Sequence, residues 1–199
     1  MPSYLTLAIP VHIEVDPIKR SRFIGSASPV NSEAEAQAFI KQVRSRYSDA
    51  RHHCFAWRLK AGDLGFRSSD DGEPGGTAGP PILAHIDGAG LRGVVIVVTR
   101  YFGGTKLGKG GLIRAYGGTA GAAINAGEVI EVIETEPVVI QYGYTDQGVV
   151  EGVFRGMGLS PNATNFGADV TSTVPVPVEQ VDVLWARLRD ATAGRVQPT

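Results

Sequence analysis

The apolar positions of this chain change their spacing several times, and each change marks an element. Residues 4–15 (YLTLAIPVHIEV) and 21–27 (SRFIGSA) carry the β-branched and aromatic residues of strands, with a turn predicted at Asp16-Pro17 between them. Ser32 followed by Glu35 is a capping-box pattern, and it predicts a helix from Ser32 to about Tyr47. HCFAWRL (53–59) alternates as a strand does, and DLGFRSS is placed to pair with it across an Ala61-Gly62 turn. SDDGEPGGTAGPP (69–81) reads as a long loop with no regular structure, followed by a short helix over ILAHI (82–86) after Pro80-Pro81. GVVIVVTRYF (93–102) has no polar alternation, so it is expected to be a strand buried on both faces. GGLIRAYGGTAGAAINA (110–126) predicts a helix whose small residues permit close packing on a sheet.

After Gly127 the pattern shifts. A β-prone stretch (VIEVIETEPVVIQYGY) precedes a helix-like segment from about Thr145 to Met157, with Val149, Val150, Val153 and Phe154 at helical spacing and Gly158 as its stop. Strands over 159–167 and 169–176 and an amphipathic helix from about Val178 to Ala191 complete a β-α-β-β-α order, that of a small ferredoxin-like unit. The fold class is therefore α+β in two domains, 1–134 and 135–199.

Composition narrows the class without choosing a function. The chain has 199 residues, 43% hydrophobic and 20% charged, as soluble globular domains do. Its net charge of −1 predicts no polyanion partner from the whole molecule. The distribution is more telling, because no acidic residue lies between Asp87 and Glu128 while Arg92, Arg100, Lys106, Lys109 and Arg114 do. Such a basic island, with Asp70, Asp71 and Glu73 on one side and Glu128, Glu131, Glu134 and Glu136 on the other, points to a local anion site. Cys54 is the sole cysteine, so no internal disulfide forms. The apolar run VVIVV (94–98) is too short to span a bilayer, and no signal-peptide pattern opens the chain, so a cytoplasmic location is expected.

The basic island centres on RYFGGTKLGKGGLIRAY (100–116). Gly103, Gly108 and Lys109 match the G-x-x-x-x-G-K part of a phosphate-binding loop, but Gly110 stands where Ser or Thr would ligate magnesium. A nucleotide hydrolase of that kind is therefore not supported. Anion binding survives the mismatch, because glycines let backbone N–H groups converge and a helix N-terminus adds partial positive charge. Lys106, Lys109, Arg100 and Arg114 would complete the cradle; alternatively the lysines are merely solvated and the arginines pair with local acids. In the acidic loop Asp70, Asp71 and Glu73 suit a hard cation, turn capping, or pairing with Arg100, Arg114 or Lys106. In His52-His53-Cys54 a strand puts His52 and Cys54 on one side and His53 on the other, so a buried thiol is expected rather than a nucleophile. Tyr101, Phe102 and Tyr116 suit either base stacking or the core.

Two long motifs, DDGEPGGTAGPP (70–81) and VIVVTRYFGGTKLGKGGLIRAY (95–116), resemble those of the YigZ/IMPACT family, and SRFIG (21–25) and HHCFAWRL (52–59) agree with its pattern. The resemblance covers essentially the whole chain. It implies an N-terminal α/β domain related to the left-handed βαβ-containing fold of the second domain of a ribosomal small-subunit protein. It also implies a C-terminal ferredoxin-like domain similar to the last domain of elongation factor G. Eukaryotic IMPACT relatives regulate translation by protein–protein competition, whereas the resemblance implies no established reaction for bacterial-type members. Carried onto this chain, its signature residues are Asp70, Asp71, Glu73, Gly76 and Thr77 in one loop. The other holds Arg100, Tyr101, Gly103, Gly104, Lys106, Gly108, Gly110, Gly111 and Arg114.

The reading that follows is a non-enzymatic binding module acting in translation, contacting RNA or a ribosome-associated protein through the basic loop, Lys109 included. No cofactor, metal or catalytic residue is assigned. The alternatives are an enzyme acting on a phosphorylated small molecule or nucleotide, and a protein-interaction regulator with no nucleic-acid ligand.

Overall fold

The computed structural model describes residues 3–60 and 65–198; the Ala61-Gly62 turn lies outside them. The chain divides into two compact units, one of Tyr4–Val132 and one of Ile133–Thr199 together with Met1–Ser3.

The larger unit is built on a five-stranded sheet of β2 (Val11–Ile18), β3 (Ser21–Pro29), β6 (Val94–Tyr101), β4 (His52–Arg58) and β5 (Phe66–Ser69), in that order. Every adjacent pair is antiparallel. Because β3 and β4 both run antiparallel to β6, they are parallel to each other, and α1 (Glu33–Arg46) crosses over between them. By the same logic α2 (Gly79–Gly88) joins the parallel strands β5 and β6. The unbroken apolar run of β6 follows from this layering. Val95 and Val97 pack with Phe39, Ile40 and Val43 of α1. Val94, Ile96 and Val98 pack on the other face with Ile82 and Ile86 of α2 and with Ala120 and Ala123 of α3 (Lys109–Ala126). The small residues of α3 let it lie close to the sheet, where a Cβ on Gly25 would stand 3.1 Å from that of Ala123. A separate ribbon pairs β1 (Ser3–Leu7) with β7 (Val129–Ile133).

The capping box forms in a modified geometry. Ser32 Oγ accepts from Glu35 N at 3.2 Å, but Glu35 Oε2 accepts the Asn31 N–H, at 2.8 Å. Three expectations need correction. The segment 4–15 is two strands, broken at Ala8–Pro10. The turn lies at Lys19-Arg20, both at positive φ (47° and 68°), while Pro17 sits inside β2, an edge strand whose register shifts between Val15 and Ile18. An edge tolerates the missing donor, so proline is no turn signal there. Lastly, helix α2 begins at Gly79, so the end of the 69–81 loop is helical, with proline in its first turn.

The second unit has the β-α-β-β-α order: β8 (Thr135–Tyr142), α4 (Gln147–Gly156), β9 (Ala163–Phe166), β10 (Val170–Pro177) and α5 (Val181–Ala191). Its sheet runs β8-β10-β9, all antiparallel. Val150 and Phe154 of α4 and Leu184 and Leu188 of α5 bury against Ile140, Val174 and Val176. Val149, expected on that face, is instead exposed. Gly158, at φ 67°, ends α4 as predicted, with Leu159 N–H returning to the Phe154 carbonyl. The molecule is thus an α+β protein of two units. No helix among the described residues is long and apolar enough to cross a membrane.

Candidate functional site

Strand parity sorts the site residues before any distance is measured. On β6, Arg100 follows Val94, Ile96 and Val98 onto the face of α2 and α3, whereas Tyr101 follows Val95 and Val97 towards α1. Tyr101 accordingly donates to Asp49 Oδ1 at 2.6 Å and lies under Arg22, away from the glycine loop.

Arg100 is buried and its Nη1 donates to Glu73 Oε1 at 2.6 Å; the two side chains are 6% and 5% exposed. The Tyr116 hydroxyl donates to the same oxygen at 2.7 Å. Arg100 Nη2 reaches Ser21 Oγ at 3.4 Å, and Ser21 Oγ also accepts the Gly103 N–H at 3.1 Å. The guanidinium carbon is 5.6 and 5.4 Å from the ring centroids of Phe23 and Phe102. The sequence leaves Arg100 either to complete an anion cradle or to pair with a local acid. Arg100 thus pairs with a local acid, Glu73, 27 residues away in sequence, through Nη1.

The acidic loop is likewise committed to its own fold. Asp70 accepts backbone N–H bonds from Gly76, Ala78 and Gly79 at 2.8–2.9 Å, so it caps the start of α2. Burial opposes ionisation of Asp70, but these donors and that of Thr77 outweigh it and hold the carboxyl below its usual range. Asp71, at φ 42°, turns towards α1, where Arg44 Nη2 donates to Oδ1 and His53 N–H to Oδ2, both at 2.6 Å. Thr77 Oγ1 donates to the Pro74 carbonyl, and Gly76 supplies a positive φ of 78°. All three carboxylates therefore have protein partners, and the described residues hold no cluster of metal-ligating side chains.

Cys54 is fully buried and donates to the Asp70 carbonyl at 3.0 Å. Burial pushes its thiol up to about 12, as it also raises the Tyr116 phenol, so neither ionises near neutrality.

The basic loop is shaped by close approach. A Cβ on Gly103 would collide with the backbone carbonyl of Arg20, so the β2–β3 turn buttresses the loop, aided by Arg20 Nη2 donating to Thr105 Oγ1 at 3.1 Å. Gly104 and Gly108 take positive φ of 85° and 72°. Gly108 is the N-cap of α3, with no side-chain cap and no acid in the first turn, which leaves the N–H groups of Lys109, Gly110 and Gly111 to the site. Beside them opens a cavity of about 350 Å³, with Lys106 and Lys109 together with Arg100, Glu73 and apolar Phe102 and Leu112 in its lining. Arg114 is outside that lining and exposed; its Nη1 would lie 3.8 Å from a Cβ on Gly110, so it folds back over the first turn of α3.

The structure thus gathers Glu73, Arg100, Lys106, Gly108 and Lys109 around one space, leaves Asp70, Asp71, Gly76 and Thr77 as the frame of the acidic loop, and sets Tyr101 on the opposite face of the sheet. Sequence reasoning missed the part of Ser21, which nothing in SRFIG distinguishes from any strand serine. It also left Tyr116 between base and core; the ring is buried and its hydroxyl holds Glu73.

Comparison with known proteins agrees with this architecture. The Impact N-terminal domain matches residues 19–124, and a domain of unknown function (DUF1949) matches residues 140–195. The chain is 37% identical to the IMPACT family member YigZ of Escherichia coli (strain K12), over 99% of this chain and 97% of that one. An IMPACT family member of Thermus thermophilus is 44% identical, over 90% and 97% respectively. A crystal structure of a hypothetical protein superposes with a TM-score of 0.76 at 36% identity, covering 99% of this chain and 96% of the other. With both domain matches in order and relatives aligned end to end, the chain belongs to the IMPACT family.

Proposed function

We propose that this protein is a non-enzymatic, translation-associated regulator of the cytoplasm that binds RNA through the basic glycine loop. One observation carries the reading: Lys106 and Lys109 flank the uncapped N-terminus of α3 on the lining of an open cavity, and neither forms an ion pair among the described residues. Two free ammonium groups and converging backbone donors suit phosphate, and they carry no base specificity. Phe102, half-exposed beside them, offers a face on which a base can stack. The translational setting comes from the family. The motif resemblance implies it, and proteins named Protein IMPACT homolog in Dictyostelium discoideum and Saccharomyces cerevisiae match 45% and 47% of this chain at 35% and 33% identity. An enzyme is disfavoured by the partners that Asp70, Asp71 and Glu73 already hold.

The test is fluorescence anisotropy with a labelled single-stranded RNA across a salt series, for wild type and Lys106→Ala/Lys109→Ala. Salt-dependent binding that the double variant loses supports the reading. Absence of binding at low salt refutes it, and capture of a ribosome-associated protein from nuclease-treated extract would then identify a protein partner instead.

A further inference from the structure

The geometry points to the cavity at the N-terminus of α3 as a site for one nucleoside 5′-monophosphate unit, the phosphate on the helix N-terminus and the base against Phe102. This rests on the phosphate-binding reading of the same loop and names the ligand class. Two independent features converge. The first is the 18-residue helix α3, which starts Lys109-Gly110-Gly111 with no cap and no acid. The second is Arg100, 5% exposed and lining the same cavity, whose Nε is buried without a hydrogen-bond partner among the described residues. Native structures rarely leave such a donor orphaned, and a ligand oxygen would satisfy it. The Phe102 ring, 51% exposed, has its centroid 5.4 Å from the guanidinium carbon. In the inferred complex the exposed face of this ring stacks on the base while the phosphate lies towards Arg100 and the first amides of α3.

Charge selects the number of phosphates. Arg100 is neutralised by Glu73, whose Oε1 also accepts from Tyr116, so the net cationic charge of the lining comes from Lys106 and Lys109. A phosphomonoester carries about −1.5 to −2 at pH 7, which two lysines balance. A triphosphate would need the metal for which Gly110 provides no hydroxyl ligand. The volume of about 350 Å³ falls in the range of small-ligand sites, and Pro74, Leu107 and Leu112 give it an apolar wall.

The experiment uses the full chain and calorimetric titration with adenosine 5′-monophosphate, adenosine, inorganic phosphate, and one RNA oligonucleotide with either a 5′-phosphate or a 5′-hydroxyl. Amide NMR follows Lys109, Gly110 and Gly111. The inference expects the monophosphate to bind about tenfold more tightly than either adenosine or phosphate, and to shift those three amides. Phe102→Ala should bring the monophosphate down to the level of inorganic phosphate, and Arg100→Lys, which lacks Nε, should weaken both. If Arg100→Lys fails to fold, the Phe102 variant and the amide shifts still decide. A preference for the 5′-phosphorylated RNA identifies an RNA end as the source, and monophosphate binding without RNA binding identifies a free nucleotide and refutes the RNA reading alone. Equal binding of both RNAs with no response to the monophosphate overturns this inference and leaves the RNA reading standing.

Discussion

Replacing Glu73 by alanine should be among the most damaging single changes in the larger unit, although the residue lies in a loop. The carboxylate is 5% exposed, accepts from Arg100 at 2.6 Å, and also accepts the Tyr116 hydroxyl. Its removal leaves a buried guanidinium whose Nε already lacks a partner and whose remaining polar contact is Ser21 at 3.4 Å. Breaking a buried pair in this way costs about 3–5 kcal/mol, and the orphaned Tyr116 hydroxyl adds roughly 1 kcal/mol. That approaches the whole stability of many domains, about 5–15 kcal/mol. Glu73→Gln keeps an acceptor for Tyr116 and should fall between wild type and alanine. The pair Glu73→Leu/Arg100→Met removes both charges and should recover to within about 2 kcal/mol of wild type. Trp57, 2% exposed and stacked on Phe55 in this unit, reports urea unfolding by fluorescence in a Trp185→Phe background. A loss below about 1 kcal/mol for Glu73→Ala, or losses of Glu73→Leu and Arg100→Met that simply add in the double variant, would refute this coupling.

Three further outcomes follow from the same geometry. Cys54, buried with its thiol pushed up to about 12, should react with a disulfide reagent at pH 8 only as fast as the unit opens; rapid stoichiometric labelling of native protein would contradict this. Gly103→Ala should destabilise by about 1–3 kcal/mol through collision with Arg20, whereas Gly118→Ala, with open space around an exposed position in α3, should stabilise by about 0.5–1 kcal/mol; paired thermal melts compare them. Asp70 has a folded pKa below its unfolded one, so its contribution is complete above the unfolded value near 3.8 and is lost as pH falls through the folded value. The stability gap between wild type and Asp70→Asn should therefore be flat above about pH 5 and shrink below it, and a gap that widens on acidification would be wrong-signed.

Much of the scaffold was legible because its signals are local. The double burial of β6 is written in VVIVV, the start of α1 in Ser32 and Glu35, and the end of α4 in Gly158. The β2–β3 turn was not, because Lys19 and Arg20 take positive φ without the glycine or asparagine that announces it. The glycine loop was legible as a place, yet its electrostatics were not. Whether Arg100 faces a ligand or a partner depends on Glu73 and Tyr116, brought to it by α2 and α3 packing on the same sheet face. Arg100 is paired with Glu73 and Arg114 lies outside the cavity's lining, whereas Lys106 and Lys109 line it, a distinction no spacing rule encodes.

The salt slope of RNA binding tests most directly whether Lys106 and Lys109 hold phosphate. Each phosphate contact on a single strand contributes about −0.7 to the slope of log K against log salt, so Lys106→Ala/Lys109→Ala should flatten it by about 1.4 as affinity falls. An unchanged slope and affinity in the double variant would contradict the account.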